Sequence, residues 1–216
     1  TEALFLSPHI DLNLIVSFRR KNATTTAWQN VTIANTQTCI AETPVFSCFS
    51  DITVECNSVL TNSRSGLFNH VANFILKHIT NPDDSQINEA LGLNYFDKGG
   101  KVSDTDSDEA KLRTAPLYDG NKKLIQSRIM VSLLAQNKLI LPGCNIKITC
   151  NPGEQTLRYI DKTGTQCELK IEQAFITGRK ILINENLYSK IMTHLKTNPV
   201  PYQFFRIVPS MYQISK

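Results

Sequence analysis

The residues of this chain that could do chemistry are few: Ser7, His9 and Asp11 in "SPHID", the other histidines, six cysteines and one acidic run. Ser, His and Asp are the types of a nucleophile, a base and an orienting carboxylate. Such triads are defined by spatial geometry, so closeness in sequence carries little weight. No G-x-S-x-G elbow, P-loop or GxGxxG turn occurs.

Metal chemistry is no better supplied. His9, His70, His78 and His194 form no HxH or HxxxH pair. On one helix, His70 and His78 would stand roughly 12 Å apart, too far to share an ion. A cupin-like metal enzyme would need a histidine cluster on its strands, and none is present. Asp104, Asp106 and Asp108 match positions 1, 3 and 5 of an EF-hand loop. Glu109 then stands where that loop needs glycine, and Ala115 where it needs a bidentate glutamate. The cysteines, at 39, 48, 56, 144, 150 and 167, make no CxxC pair, and no histidine stands at zinc spacing. They read as buried free thiols in a reducing compartment. No residue is assigned a catalytic, cofactor-binding or metal role, no cofactor is expected, and the chain is not expected to be an enzyme.

The totals allow one large domain. A chain of 216 residues buries roughly 70% of its unfolded surface on folding. Apolar residues make up 41% and the formal charge is +4, with no basic block beyond "RRK" at 19–21 and "GRK" at 178–180. No specific nucleic-acid site is expected from that charge. No apolar run is long enough to span a membrane. The start lacks a basic n-region and a small-residue cleavage site, so it is not read as a signal peptide. The sequons at Asn22 and Asn30 arise easily by chance.

What must position any site is a set of strands. Alternation or β-former content marks 11–18, 28–34, 49–56, 124–135, 144–150, 155–160, 167–176, 179–183 and 203–214. Turns are expected at "NPGE" (151–154), as a type II Pro-Gly turn, at "DKTG" (161–164), at "NSRSG" and at "TGRK". Trp28, Tyr202, Phe204 and Phe205 read as packing aromatics. Two helical excursions interrupt the strands. The first spans about 66–92: a helix with Leu67, Val71, Phe74, Ile75 and Ile79 on its apolar face, then a short companion after "NPDD". The second spans about 185–197, with Asn184 as N-cap, a stripe of Leu187, Ile191 and Leu195, and Pro199 beyond. The Gly- and Asp-rich run 99–111 reads as a mobile acidic surface loop. Pro142-Gly143 reads as a tight corner between strands, with Ile146, Ile148 and Cys150 on one face beyond it and Lys147 and Thr149 on the other. The fold class is all-β: a jelly-roll sandwich of eight or nine strands, one domain over 1–216, with helical excursions.

The order of segments adds a resemblance. "SDITVECNSVLTNS", the helix "GLFNHVANFILKHI", "DDSQINEALGLNYFDK", Gln136-Asn137-Lys138-Leu139-Ile140, Gly143-Cys144-Asn145-Ile146-Lys147-Ile148 and the strand–helix–strand block over 168–214 follow one another. This series resembles the major capsid protein of Polinton (Maverick) elements and adintoviruses. The likeness covers residues 50–216, and the chain resembles the first roll of that double jelly-roll lineage. It implies a structural, shell-building subunit of a virus or virus-like element. It implies self-association into a homotrimeric capsomer, contacts to neighbouring capsomers and to penton or minor capsid proteins, and a place in the virion after assembly inside the host cell. The segments Leu67 to Leu91, 99–111 and Leu187 to Lys196 would meet the neighbours. The alternative is a non-catalytic ligand- or carbohydrate-binding β-sandwich, resting on Trp28, the sequons and the loops.

Overall fold

The computed structural model describes residues 3–22, 24–35, 37–62, 65–78, 91–97, 105–199 and 201–202. Strands in antiparallel sheets dominate, with few helices.

Alternation decides the largest sheet. In the strand Ala3–Lys21 (β1), Ile10, Leu12, Leu14, Val16 and Phe18 are all buried. Successive side chains of a strand point to opposite faces, so Ser7, His9, Asp11 and Asn13 share the other face. The strand Cys167–Ile183 (β9) pairs with one edge of β1, from Ala3↔Ile183 to Arg20↔Cys167. Lys123–Arg128 (β6) and Trp28–Asn30 (β2) share its other edge, at Asp11↔Arg128 to Val16↔Lys123 and Arg19↔Asn30 to Lys21↔Trp28.

The second sheet is built on Phe49–Cys56 (β4). Val59–Leu60 (β5) pairs with one edge, and Ile146–Pro152 (β7) with the other. Thr38–Ile40 (β3) and Tyr159–Asp161 (β8) form a separate ribbon. Ile52 and Val54 of β4 join the β1 residues in one buried cluster, and Ile146, Ile148 and Cys150 pack against it. Lys147 is exposed and reaches Glu55 at 3.5 Å. The β4–β5 hairpin turns on Asn57 and Ser58, with φ of 49° and 68°, the left-handed pair that a two-residue hairpin demands. Asn62 then caps the β4 edge like an extra strand residue: it accepts from Val54 N at 2.9 Å and donates to Ile52 O at 2.8 Å.

Among the described residues, four α-helices have defined bounds. Pro44–Ser47 (α1) is one short turn. Phe68–His78 (α2) follows a loop held by Asp51, whose carboxylate accepts from Ser65 N and Gly66 N at 3.2 and 2.9 Å. The apolar face of α2 differs from expectation: Phe68, Ala72 and Leu76 are buried, whereas Phe74 is 59% exposed and stacks on His78. The ring of Phe68 meets Phe46 edge-on at 5.7 Å, and that contact turns the helix by one residue from the stripe read in sequence. Of the companion helix, only Leu91 and Gly92 are described, and both are helical.

The acidic run requires a correction. Asp108–Thr114 is a helix (α3), not loop. Ser107 caps it by accepting from Ala110 N at 3.1 Å, and Asp108 and Glu109 sit in the first turn, where the helix dipole favours negative charge. The helix is anchored by Arg113, which is fully buried against Asp97. Residues 99–104 lie outside the described residues.

Other boundaries move for tertiary reasons. The segment 124–135 is a strand only to Arg128. Beyond it Ile129 N still donates to Ile10 O at 3.0 Å, but Val131, Leu134 and Ala135 close tight turns. After Asn30 the chain turns at Thr32–Asn35, whose hydrogen bonds bend it. Gln155–Leu157 is a 3-10 turn before β8. "NPGE" is no type II turn: Asn151 and Pro152 continue β7, and Gly153 lies against the Phe49–Ser50 backbone without positive φ. "TGRK" is no turn either, because β9 runs unbroken through it and fuses two expected strands. The expected strand 203–214 lies outside the described residues. The helix Glu185–Thr197 (α4) is capped by Asn184, which accepts from Asn186 N. No residue of α4 is fully buried; Tyr188, Ile191, Met192 and Leu195 are half-buried, while Leu187 is exposed.

Candidate functional site

A polar hollow lies where the β1–β9 ladder is interrupted. Leu6 pairs with Lys180 and Ile10 with Gly178, so β1 carries two more residues than β9 across the gap. Bulges of this kind re-aim side chains and open a ladder. Pro8, in the gap, has no N–H to leave unpaired. The result is a cavity of about 240 Å³ walled by Ser7, His9 and Asp11 of β1, Arg128 of β6, and Thr177, Gly178 and Arg179 of β9.

Each wall residue is placed by the ladder. Asp11 stands between Arg128 and Thr177 in register, which puts the three side chains in one row across the sheet. Asp11 accepts from the Gln126 amide at 3.0 Å. The Thr177 hydroxyl accepts from Asn13 at 3.0 Å. Ser7 Oγ accepts from the backbone N–H of His9 at 3.4 Å. Here the structure brings Ser7, His9 and Asp11 to one cavity, but not as a triad: the Ser7–His9 contact is to backbone, and the imidazole makes no hydrogen bond to either neighbour. Arg128, Thr177 and Arg179 are the members that sequence reasoning missed, because only strand register brings them to β1.

Further along the same outer face, a one-residue bulge opposite Ile15 and Val16 leaves Glu172 as the extra residue of β9, half-buried. Hydrogen bonds from Lys170 and Ser17 hold its carboxyl below the usual range. Trp28 is covered by cations: Arg19 lies 4.7 Å and Lys21 5.4 Å from its ring. Such cover competes with a sugar for the ring face. Asn22, one of the sequon residues, uses its side-chain oxygen to accept from Thr24 N and Thr25 N.

The remaining candidates separate in space. Among the described residues, no group of three or more His, Cys, Asp or Glu side chains could hold a metal ion. Asp106 pairs with Lys111 at 2.9 Å; Asp104 lies outside the described residues. All six cysteines are free. Burial pushes the thiols of Cys48 and Cys167 up to about 12. Cys56 and Cys144 line an apolar cavity of about 180 Å³ with Leu133, Ile140 and Tyr202, and the Tyr202 hydroxyl donates to Leu139 O at 2.6 Å. Phe204 and Phe205 lie outside the described residues.

One feature concerns surface rather than chemistry. Ile176 stands opposite Leu12, on the core side of the sheet, yet it is 46% exposed where Leu12 is 2%. Leu182, at 59%, and Leu187, at the start of α4 and 51%, are exposed as well. Among the described residues, no helix is long and apolar enough to cross a membrane. No protein-family model matches the chain, and no curated protein matches it.

Proposed function

We propose that the chain is a non-catalytic, shell-building subunit, a jelly roll that self-associates into capsomers, as the resemblance to Polinton and adintovirus capsid proteins implies. The observation that favours it most is the uncovered core side of β9. Ile176, Leu182 and Leu187 are large apolar residues left exposed on β9 and at the start of α4. Contiguous exposed apolar surface marks association sites, and obligate interfaces resemble a domain core cut in half. Two antiparallel sheets sharing one buried cluster supply the scaffold of such a roll.

The occupant is a second copy of the chain, giving the homotrimer as the first assembly. Neighbouring capsomers, penton or minor capsid proteins and a virion location belong to the same reading. The test is sedimentation velocity of the wild type against Ile176→Ser/Leu182→Ser/Leu187→Ser. The wild type should sediment as trimers or larger, and the triple variant as monomer with its far-UV spectrum retained. A monomeric wild type, or a variant that assembles equally well, refutes it.

A further inference from the structure

We propose that the bulged cavity beside Ser7 and His9 is an anion site for a dianionic phosphate, either free or as a phosphomonoester. This inference stands apart from shell building and does not depend on it.

Three observations carry it. The first is charge left unspent. Arg128 and Arg179 wall the cavity, and neither side chain has a hydrogen bond or ion pair among the described residues. The one carboxylate there, Asp11, stands opposite Arg128 in register but takes its hydrogen bond from Gln126 instead. Two guanidiniums against one carboxylate leave a net positive charge.

The second is the direction of the hydroxyls. Ser7 Oγ already accepts from His9 N, and Thr177 Oγ1 already accepts from Asn13 Nδ2. A hydroxyl has one hydrogen to donate, and with an acceptor position occupied on each oxygen that hydrogen is left for a ligand. The third is the backbone. The two-residue excess on β1 opens the ladder there, so the hollow is built into the sheet rather than formed by side chains lying on it.

The donor count selects the ligand. Each arginine offers five N–H donors in a planar fork, and two hydroxyls and an imidazole join them. A carboxylate has two oxygens and one charge to set against this. A phosphate group carries about −1.5 to −2 at neutral pH on three acceptor oxygens, which suits both the charge and the donors. Arginine forks bind such oxyanions bidentately.

The imidazole provides a reporter. The wild type is titrated with inorganic phosphate at fixed pH and fixed ionic strength, following the His9 ring resonances by NMR. These are assigned with His9→Gln. Phosphate should move them saturably with a dissociation constant on the order of 1 mM or tighter. Arg128→Gln and Arg179→Gln should each weaken binding about tenfold or more, as the loss of a charge-assisted contact requires. Both arginines are exposed, and unchanged thermal midpoints would show that the variants still fold. A nucleoside monophosphate moving the same resonances more strongly identifies an esterified source, and inorganic phosphate binding as well or better identifies the free ion; either result supports the site. Three outcomes overturn it: no saturable shift, an equal shift with acetate or chloride, or equal binding by the Arg128→Gln/Arg179→Gln variant.

Discussion

Replacing Arg113 by methionine should destabilise the chain more than any surface change, and the structure sets the size. Arg113 is fully buried. It donates through Nε to Ile40 O at 3.2 Å, through Nη1 to Tyr95 O and to Asp97 Oδ1 at 3.0 Å, and through Nη2 to Asp97 Oδ2 at 3.3 Å. One side chain thus ties together β3, the segment 91–97 and α3. Asp97 is held further by Ser107 Oγ at 3.0 Å, and its backbone N–H donates to the buried Glu42 at 3.0 Å. Methionine fills much of the same volume but leaves Asp97 charged and unpaired. Breaking a buried ion pair from one side costs ~3–5 kcal/mol. At about 2–4 °C per kcal/mol for a chain of this size, the thermal midpoint should fall by ~6–20 °C. Urea denaturation followed by circular dichroism measures this directly. Adding Asp97→Leu removes the stranded charge, so Arg113→Met/Asp97→Leu should be more stable than the sum of the single losses by ~1–3 kcal/mol. A single loss below ~1 kcal/mol, or strictly additive losses, refutes the idea that the pair locks α3.

Other expectations follow from single positions. Ile148→Ala should cost about 2 kcal/mol, the low end for an apolar truncation because Ile148 is only half-buried; Lys147→Ala should cost under about 1 kcal/mol, and equal losses in urea melts would overturn the facing of β7. Gly143→Ala places Cβ in open space at φ of +86°, so only backbone strain of ~1–2 kcal/mol applies, whereas Gly153→Ala puts Cβ 3.0 Å from Phe49 C and Ser50 N and should cost more; the reverse order in thermal melts refutes this. The Cys48 thiol is raised to about 12 by burial, above its unfolded value of about 8.5. The unfolded chain therefore loses that proton first. The stability it contributes is complete below about pH 8.5 and declines as pH rises toward 12, by at most ~1.4 kcal/mol per pH unit. Urea midpoints at pH 8 and 10 should differ more in the wild type than in Cys48→Ala, and equal differences would contradict it.

Sequence legibility followed the range of the signal. β4 occupies the span its alternation marks, Phe49–Cys56, because both edges and one face obey a local pattern. Asn184 caps α4 and Gly143 takes the left-handed turn, since capping and turn chemistry act over a few residues. The Asn57-Ser58 hairpin was within reach too, as Asn between two β-rich runs is a known turn former. What local pattern could not supply was partner choice. The fused β9 depends on a bulge in β1, and the face of α2 depends on Phe46. The acidic run looked solvated because the buried charge that anchors it, Arg113, pairs with Asp97 outside the run. For the same reason "SPHID" disclosed three wall residues of the cavity, but neither of the arginines that give it its charge.

The central claim is self-assembly through the uncovered apolar face of β9, and direct imaging tests it best. Negative-stain electron microscopy of protein expressed from the whole open reading frame, at rising concentration, should show three-fold capsomers or closed shells. A field of uniform monomers at every concentration would contradict it.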